Sequence, residues 1–351
     1  MSVWQNRSRF FKCAAGAVGA LSLLAASACG TSGSGDEVTL RLSHQWPKPK
    51  GDDGDFRSLT AEKFADLVDE KTNGKVNVKI YTDSSLVDSK EQYQAIKRGT
   101  LDMSVYPLDY AAGEVPQFSV TLMPALVKSH QQAQNWQESE IGTKVEDIAE
   151  DNGLKILTWI WNAGGIGVKD GDPIISPDDV NKGDVVRAAG PWVERMLKGA
   201  GFSITSMASS EIYSAMQTGT LDVAVTSAGS FRSYRLHEQT DSYTSPTENT
   251  FWFMFEPLVI GTEQLDKLSS KEQEAIIEAG EELQDYVYKA SEEDDGKTEK
   301  VFKDAGVDVA QIDDDAFDKW QEASKPIWDQ FGEDVKGGPE LIDLALEVPT
   351  D

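Results

Sequence analysis

The side chains that most often carry enzyme chemistry are few in this chain and widely separated. Its three histidines are His44, His130 and His237, and none has the His-Glu-x-x-His spacing that places two metal ligands on one helix face. Ser230 lacks the Gly-x-Ser-x-Gly turn that exposes a nucleophile. Asp and Glu total 60, so carboxylate pairs are too common to single out an acid and a base. The sequence predicts no catalytic residue, no metal and no cofactor.

The cysteines and the net charge exclude further classes of protein. Cys13 and Cys29 are the two cysteines and both lie near the N terminus, so the rest of the chain has no thiol for a disulfide or a metal. The formal net charge is −27, which argues against a nucleic-acid partner because the phosphate backbone attracts basic surfaces. The charge favours a soluble, non-aggregating surface, and the lack of further cysteines means that the stability of the fold must come from packing.

One twelve-residue segment occurs twice, at 91–102 and at 211–222, and seven of the twelve positions are identical. In each copy an apolar segment precedes a short helix that ends at Gly99 or Gly219, and a second apolar segment follows. The spacing is too long for a solenoid repeat. The repeated segment instead predicts a strand, helix, strand unit in each of two related lobes, with a ligand cleft between the lobes.

The remaining pattern predicts an α/β fold. Strands are expected at 38–42 and 76–81 with a helix at 59–71 between them, and a buried strand is expected from 154 to 161 that continues at 166–168. A capping box that starts at Ser270 opens a helical pattern that runs to about 305, long enough to span both lobes.

These boundaries give a domain division. We expect a signal peptide at 1–28, a flexible tether at 29–37, lobe 1 at 38–160 and lobe 2 at 161–250. The chain should return to lobe 1 at 251–290 and end in C-terminal helices, 291–351, that pack on lobe 2.

The N terminus has the basic, then apolar, then small-residue order of an export signal. Ala28-Cys29 permits two interpretations: a lipoprotein box with Cys29 as the lipidated first residue, or ordinary cleavage after Ala28 that leaves a periplasmic protein. The Gly/Ser-rich stretch after Cys29 favours lipidation, because a membrane-anchored domain needs a tether.

Four segments resemble, in order, the landmarks of TRAP-transporter solute-binding proteins: 72–76, 178–187, 211–219 and 268–278. The resemblance covers nearly the whole chain after the export signal. It implies a two-lobed fold of the periplasmic-binding-protein type that closes on a small organic acid outside the cytoplasm. It also implies delivery of that acid to the membrane subunits of a TRAP permease driven by an ion gradient, without catalysis.

The resemblance also implies a binding residue. In the family, the arginine that corresponds to Arg187 typically forms a bidentate salt bridge with the ligand's carboxylate, a task that suits a planar and permanently charged guanidinium. Many relatives have an asparagine in place of Thr226, an aromatic residue in place of Ser209, and a second arginine near Asn162. These departures imply a pocket unlike that of the sialic-acid receptors.

Other polar and aromatic side chains are expected around the cleft because they follow predicted strands or Arg187. They are His44, Tyr106, Trp161, Trp192 and Phe231. Aromatic walls could stack on a ring or enclose an ammonium group, so a zwitterion is as plausible as a dicarboxylate. Two alternatives stay open, the receptor of an ATP-driven importer and a secreted enzyme on the same scaffold.

Overall fold

The computed structural model describes residues 37–350. The predicted signal peptide, Cys29 and all of the tether before residue 37 therefore lie outside the described residues. The strands are β1 (Val38–Ser43), β2 (Val76–Tyr81), β3 (Met103–Val105), β4 (Leu154–Thr158), β5 (Trp161–Val168), β6 (Val185–Arg187), β7 (Ser203–Thr205), β8 (Val223–Ser227), β9 (Ser242–Ser245), β10 (Phe253–Phe255), β11 (Leu258–Gly261) and β12 (Asp308–Gln311).

Helices cover the faces of the sheets. They are α1 (Phe56–Thr72), α2 (Gln92–Lys97), α3 (His130–Gln137), α4 (Glu140–Asp151), α5 (Pro191–Ala200), α6 (Ile212–Gln217), α7 (Ala228–Ser233), α8 (Thr262–Leu265), α9 (Ser270–Glu282), α10 (Gln284–Asp304), α11 (Asp314–Asp334) and α12 (Gly338–Leu346). Within residues 37–350, no helix is both long enough and apolar enough to cross a bilayer.

Two sheets form the centres of the two lobes, which confirms the predicted α/β class. The first sheet has the order β2-β1-β3-β11-β4, and the path through the second is β12-β9-β5-β8-β6-β7, with β10 paired to β5. In each, three parallel strands (β2-β1-β3 and β7-β6-β8) are followed by an antiparallel strand, β11 or β5. The lobes are thus built to the same plan.

The repeated segment performs the same structural task in both lobes. Gly99 and Gly219 end the two short helices with φ angles of 68° and 71°, in the left-handed region that glycine adopts without strain. Asp102 Oδ2 accepts the backbone N–H of Arg41 in β1 at 2.8 Å, and Asp222 Oδ2 accepts that of Val185 in β6 at 2.8 Å. The repeated aspartate therefore fixes the start of the next strand to the middle one of the three parallel strands in its lobe.

Two antiparallel segments carry the chain between the sheets. β4 leads into β5, and β10 leads into β11, so both crossings run side by side. Gly164 and Gly165 lie in β5 where a Cβ would stand 2.1 Å from the Trp252 ring and 2.5 Å from the Thr244 carbonyl oxygen. These glycines permit close packing at the crossing.

The predicted long helix is divided into α9 and α10 at Leu283. Thr158 Oγ1 donates to the Gly280 carbonyl at 3.0 Å, and Leu283 N donates to the same oxygen at 3.3 Å with three-residue spacing. The Gln284 side chain bonds the backbone N–H and C=O of Trp159 in the crossing segment. The helix turns tighter here because it is bonded to the crossing strand, and α10 then contacts elements of both lobes.

The C-terminal helices do not all pack on lobe 2. α11 packs against α5 of lobe 2, whereas α12 packs against α4 of lobe 1. Leu341, Ile342 and Ala345 are buried in one cluster with Ile141 and Val145 of α4. The apolar face of α12 therefore packs on the apolar face of α4, and α11 and α12 together contact both lobes.

Candidate functional site

Arg187 lies at the carboxyl end of β6, the central parallel strand of lobe 2, where open α/β sheets bind their ligands. Its side chain is buried, with 1% of its surface exposed. Nε donates to the Met207 carbonyl at 3.0 Å, Nη1 to the Val225 carbonyl at 3.1 Å and Nη2 to the Tyr110 hydroxyl at 3.2 Å. Of the five guanidinium N–H groups, one on each Nη remains without a partner among the described residues.

The partners of Arg187 are all neutral oxygens. In the part of the chain that the structure describes, no carboxylate oxygen lies within 4.0 Å of its guanidinium. A buried cation without an anion is costly, and a ligand carboxylate would relieve that cost. Two backbone carbonyls and one hydroxyl thus hold the guanidinium in place and leave its charge without an anionic partner in the described part of the chain.

Arg57, the second buried arginine, is fully neutralised by the protein. Nη2 and Nε bond Asp55 at 2.7 and 2.8 Å, and Nη1 bonds Glu256 at 2.7 Å and Ser227 Oγ at 2.9 Å. Asp55 belongs to lobe 1, while Ser227 lies at the end of β8 in lobe 2. Arg57 thus connects the two lobes, and we call this cluster the Arg57 tie. Its positive charge is neutralised by protein carboxylates, so it is not available to bind a ligand anion.

A cavity of about 460 Å³ lies between the lobes beside Arg187. The lobe 1 side chains at its wall include Lys90, Asp109, Tyr110, Pro116 and Ser119, and those of lobe 2 include Trp192, Glu194, Ser206 and Met207. Arg187 is not itself part of the wall, but two wall residues bond its guanidinium, Met207 through its carbonyl and Tyr110 through its hydroxyl. The volume suits a small organic molecule.

Two acidic side chains of this wall are held in unusual environments. Burial raises the pKa of Asp109 to about 7, although a hydrogen bond from Ser119 acts in the opposite direction. Burial also raises the pKa of Glu194, against a hydrogen bond from Ser206 and the nearby charge of Arg187. The cavity therefore contains acids without close cationic partners.

Three residues predicted from the sequence lie at or beside this cavity. Trp192 is part of the wall. The Ser209 backbone N–H points to the Tyr110 hydroxyl at 3.4 Å. The Tyr106 ring meets the Tyr110 ring edge to face, with centroids 6.3 Å apart, and its hydroxyl is buried without a partner among the described residues.

Three others surround the Arg57 tie. His44 stacks on Trp46 with ring centroids 5.8 Å apart, and burial lowers its pKa to about 4, so its imidazole is neutral. Asn162 Nδ2 donates to Glu256 at 2.6 Å. Thr226 pairs with Gly165 in the sheet and directly precedes Ser227, which bonds Arg57.

The structure places the last two predicted residues in packed cores instead of the cavity wall. Trp161 packs against Trp136 and Phe255, with centroid distances of 5.2 and 4.8 Å. Phe231 packs against Tyr243 and Phe302 inside lobe 2, because Gly167 leaves room for its ring on the sheet.

Four further residues of the cavity wall were not predicted from the sequence: Lys90, Asp109, Tyr110 and Glu194. Asp109 and Tyr110 follow β3 closely, and the rule that ligands bind at the carboxyl ends of parallel strands would have indicated them. Lys90 and Glu194 have no comparable signal, because their place at the wall depends on how the two lobes meet.

Comparison with known proteins gives a consistent result. The family model described as bacterial extracellular solute-binding protein, family 7, matches residues 51–334. A solute-binding protein from Albidiferax ferrireducens is 36% identical over 310 residues, which cover 88% of this chain and 91% of the relative.

Solved structures agree. A TRAP periplasmic solute-binding protein from Rhodoferax ferrireducens with bound malonate has a TM-score of 0.85 at 35% identity, covering 88% of this chain and 98% of its own. One from Chromohalobacter salexigens with bound D-glucuronate has a TM-score of 0.79 at 26% identity, covering 88% and 100%.

Proposed function

This chain belongs to the bacterial extracellular solute-binding protein family 7, and we propose that it is an extracytoplasmic receptor that binds a small organic acid between its lobes. Arg187 would bind the carboxylate of that acid. The observation that supports this most directly is the buried Arg187 guanidinium, which in the described residues has only neutral oxygen partners. Delivery to the membrane subunits of a TRAP permease, without turnover of the acid, completes the proposal.

The contrast with Arg57 strengthens the assignment. Both guanidinium groups are buried between the lobes, yet Arg57 bonds two carboxylates of the protein and Arg187 none within the described part of the chain. Charge-assisted bonds contribute roughly 1.5–3 kcal/mol each, so Arg187 needs further contacts from the cavity wall to reach micromolar affinity.

Replacement of Arg187 tests the proposal. We expect Arg187→Ala to lose carboxylate binding and Arg187→Lys to recover only part of it, because an ammonium keeps the charge but not the two-pronged geometry. Isothermal titration with a panel of organic acids measures both. Arg98→Ala is the matched control, since Arg98 is exposed and lies in lobe 1. Unchanged affinity in Arg187→Ala would remove this residue from the site.

We also propose that the protein is held at the membrane by a lipid on Cys29. Mass spectrometry of exported protein, compared with a Cys29→Ser variant, tests this. An unlipidated chain that begins at Cys29 would instead indicate ordinary cleavage.

A further inference from the structure

The wall of the cavity separates the Arg187 guanidinium from the space that a ligand would fill. Arg187 is buried and does not line the cavity, whereas Tyr110 and Met207, which bond it, both do. Met207 and Val225 contribute backbone carbonyls of lobe 2, and Tyr110 contributes a side-chain hydroxyl from lobe 1. Tyr110 is therefore the partner of Arg187 that can leave by a side-chain rotation, without movement of the lobe 2 backbone.

The Tyr110 hydroxyl oxygen accepts two N–H groups of lobe 2. One is Arg187 Nη2 at 3.2 Å, and the other is the backbone N–H of Ser209 at 3.4 Å. Ser209 begins a short 3-10 turn, Ser209–Glu211, and its N–H has no other hydrogen-bond partner among the described residues. A guanidinium N–H and a backbone N–H that converge on one oxygen are donors suited to a carboxylate oxygen.

The two distances show that the hydroxyl is held weakly. Hydrogen bonds from a guanidinium to a carboxylate are about 2.7–2.9 Å long and roughly twice as strong as bonds between neutral groups. Both bonds to the Tyr110 hydroxyl are longer than that range. A carboxylate oxygen in the same place would approach both donors more closely and would neutralise a buried cation, so the exchange of hydroxyl for carboxylate is favourable.

The surroundings of Tyr110 leave room for its hydroxyl to move. The side chain is half-buried and borders the cavity of about 460 Å³. Its ring meets the Tyr106 ring edge to face, with centroids 6.3 Å apart, and Lys90 Nζ lies 5.9 Å from its centroid. Neither contact uses the hydroxyl. A Tyr110 side chain that rotates into the cavity can therefore exchange its two bonds to lobe 2 for bonds to water.

We propose that the Tyr110 hydroxyl holds the place of a ligand carboxylate oxygen between Arg187 Nη2 and the Ser209 N–H, and that the ligand displaces it on binding. This inference rests on the proposed role of Arg187. Tyr110 is a positioning residue: it keeps the guanidinium oriented and joins the lobes while no ligand is bound. It also lowers the affinity, because only the fraction of molecules whose hydroxyl has moved away can accept the carboxylate.

Tyr110→Phe removes the hydroxyl and keeps the ring. Without ligand, we expect the Ser209 amide hydrogen to exchange with solvent about fivefold or more faster in this variant, because it has lost its acceptor. Malonate, succinate and D-glucuronate serve as probes, and those that bind should slow the exchange again as a carboxylate oxygen replaces the hydroxyl. Exchange followed by NMR measures both effects. Tyr213→Phe is the matched control, since its hydroxyl bonds Glu238 away from the cavity.

Calorimetry with the same probes separates a displaced hydroxyl from one that binds the ligand. We expect Tyr110→Phe to bind about three- to tenfold more tightly than the unaltered protein, because the carboxylate no longer competes with the hydroxyl. Weaker binding would mean that the hydroxyl contacts the ligand, and it overturns the proposal. An unchanged Ser209 exchange rate overturns it as well. Both results leave the role of Arg187 intact, whereas failure of all three acids to bind would contradict the receptor function on which the inference rests.

A pair of variants at Ser209 tests the second donor. Ser209→Ala keeps the backbone N–H and Ser209→Pro removes it. The backbone accepts a proline here, because Ala208 is extended with φ −65° and ψ 153° and Ser209 is the first residue of its turn. We expect the proline variant to bind the probes about tenfold more weakly than the alanine variant, since the carboxylate oxygen loses one of its two donors. Equal affinities would overturn the position proposed for the carboxylate oxygen.

Discussion

Asp109 combines two properties at the residue scale, a place at the cavity wall and burial that raises its pKa to about 7. Its ordinary value is 3.8, so the folded protein holds this proton over a pH range in which the unfolded chain releases it. The contribution of Asp109 to the free energy of unfolding is therefore fully present below about pH 4 and is lost as the pH rises towards 7. Glu194 faces it and acts in the same direction, and Lys90 opposes both.

We predict that Asp109→Asn is more stable than the unaltered protein at pH 8 by several degrees in melting temperature, because the amide needs no costly ionisation. The difference should shrink as the pH falls towards 4, where Asp109 is protonated in both states. Thermal melts of both proteins across this range measure it. A gap that is independent of pH would show that Asp109 ionises normally in the folded protein.

At the same scale, the sequence could indicate Arg187 but not most of its surroundings. Arg187 is found by the motif before it, and Trp192 by its nearness to Arg187. Trp161 and Phe231 were expected at the cleft because they are aromatic, as Trp192 is. The sequence does not tell which of these rings faces the cavity and which packs on a sheet. That choice depends on contacts such as Phe231 against Gly167, which join distant parts of the chain.

At the element scale, the repeated segment links local chemistry to the position of Arg187. Asp222 Oδ2 accepts the Val185 N–H, and Val185 begins the three-residue strand β6 that ends at Arg187. Asp222 N also donates to the Val185 carbonyl at 3.0 Å. The corresponding Asp102 binds Arg41 in lobe 1, at a distance from the cavity.

We predict that Asp222→Ala exposes the Val185 amide to faster hydrogen exchange and weakens carboxylate binding, because a short strand loses one of its fixed ends. The lost bond should cost about 1–2 kcal/mol in unfolding free energy. Asp102→Ala is the matched control and should speed exchange at Arg41 while it leaves binding intact. Slow exchange at Val185 in Asp222→Ala would show that sheet pairing alone holds β6.

The repeat also shows what a sequence can predict about elements. Its helices, their glycine ends and the strands that follow were predictable because each depends on residues close in the chain. The division at Leu283 was not, because it depends on bonds from Thr158 and Trp159 in the crossing segment. The capping box predicted from Ser270 begins one residue earlier, where Ser269 bonds Glu272, because both serines have a suitable Glu or Gln three residues later and the sequence does not choose between them.

At the scale of the whole molecule, the two lobes meet through polar contacts on either side of the crossing strands. Arg57 ties lobe 1 to Ser227 of lobe 2, and the Tyr110 hydroxyl of lobe 1 bonds Arg187 of lobe 2. The second contact joins the Arg187 cation to a neutral hydroxyl at the cavity wall, so a ligand carboxylate can replace or extend it. Closure around a ligand would then complete the coordination of Arg187.

The net charge of the whole molecule is negative, opposite in sign to the charge of Arg187. A net charge of −27 repels an anionic ligand at long range, whereas Arg187 attracts it only near the cavity. The screening length falls from about 30 Å at 0.01 M salt to about 8 Å at 0.15 M, so added salt removes the repulsion first and leaves the short-range attraction.

We therefore predict that the association rate of a monocarboxylate rises severalfold over that range of salt, the opposite of a ligand steered by an attractive surface. Stopped-flow measurement of tryptophan fluorescence can follow binding, because Trp192 lies at the cavity wall. The dissociation rate should change less, since the bound carboxylate is held by buried donors. An association rate that falls with salt would mean that the cations of the cleft, and not the acidic surface, govern the approach of the ligand.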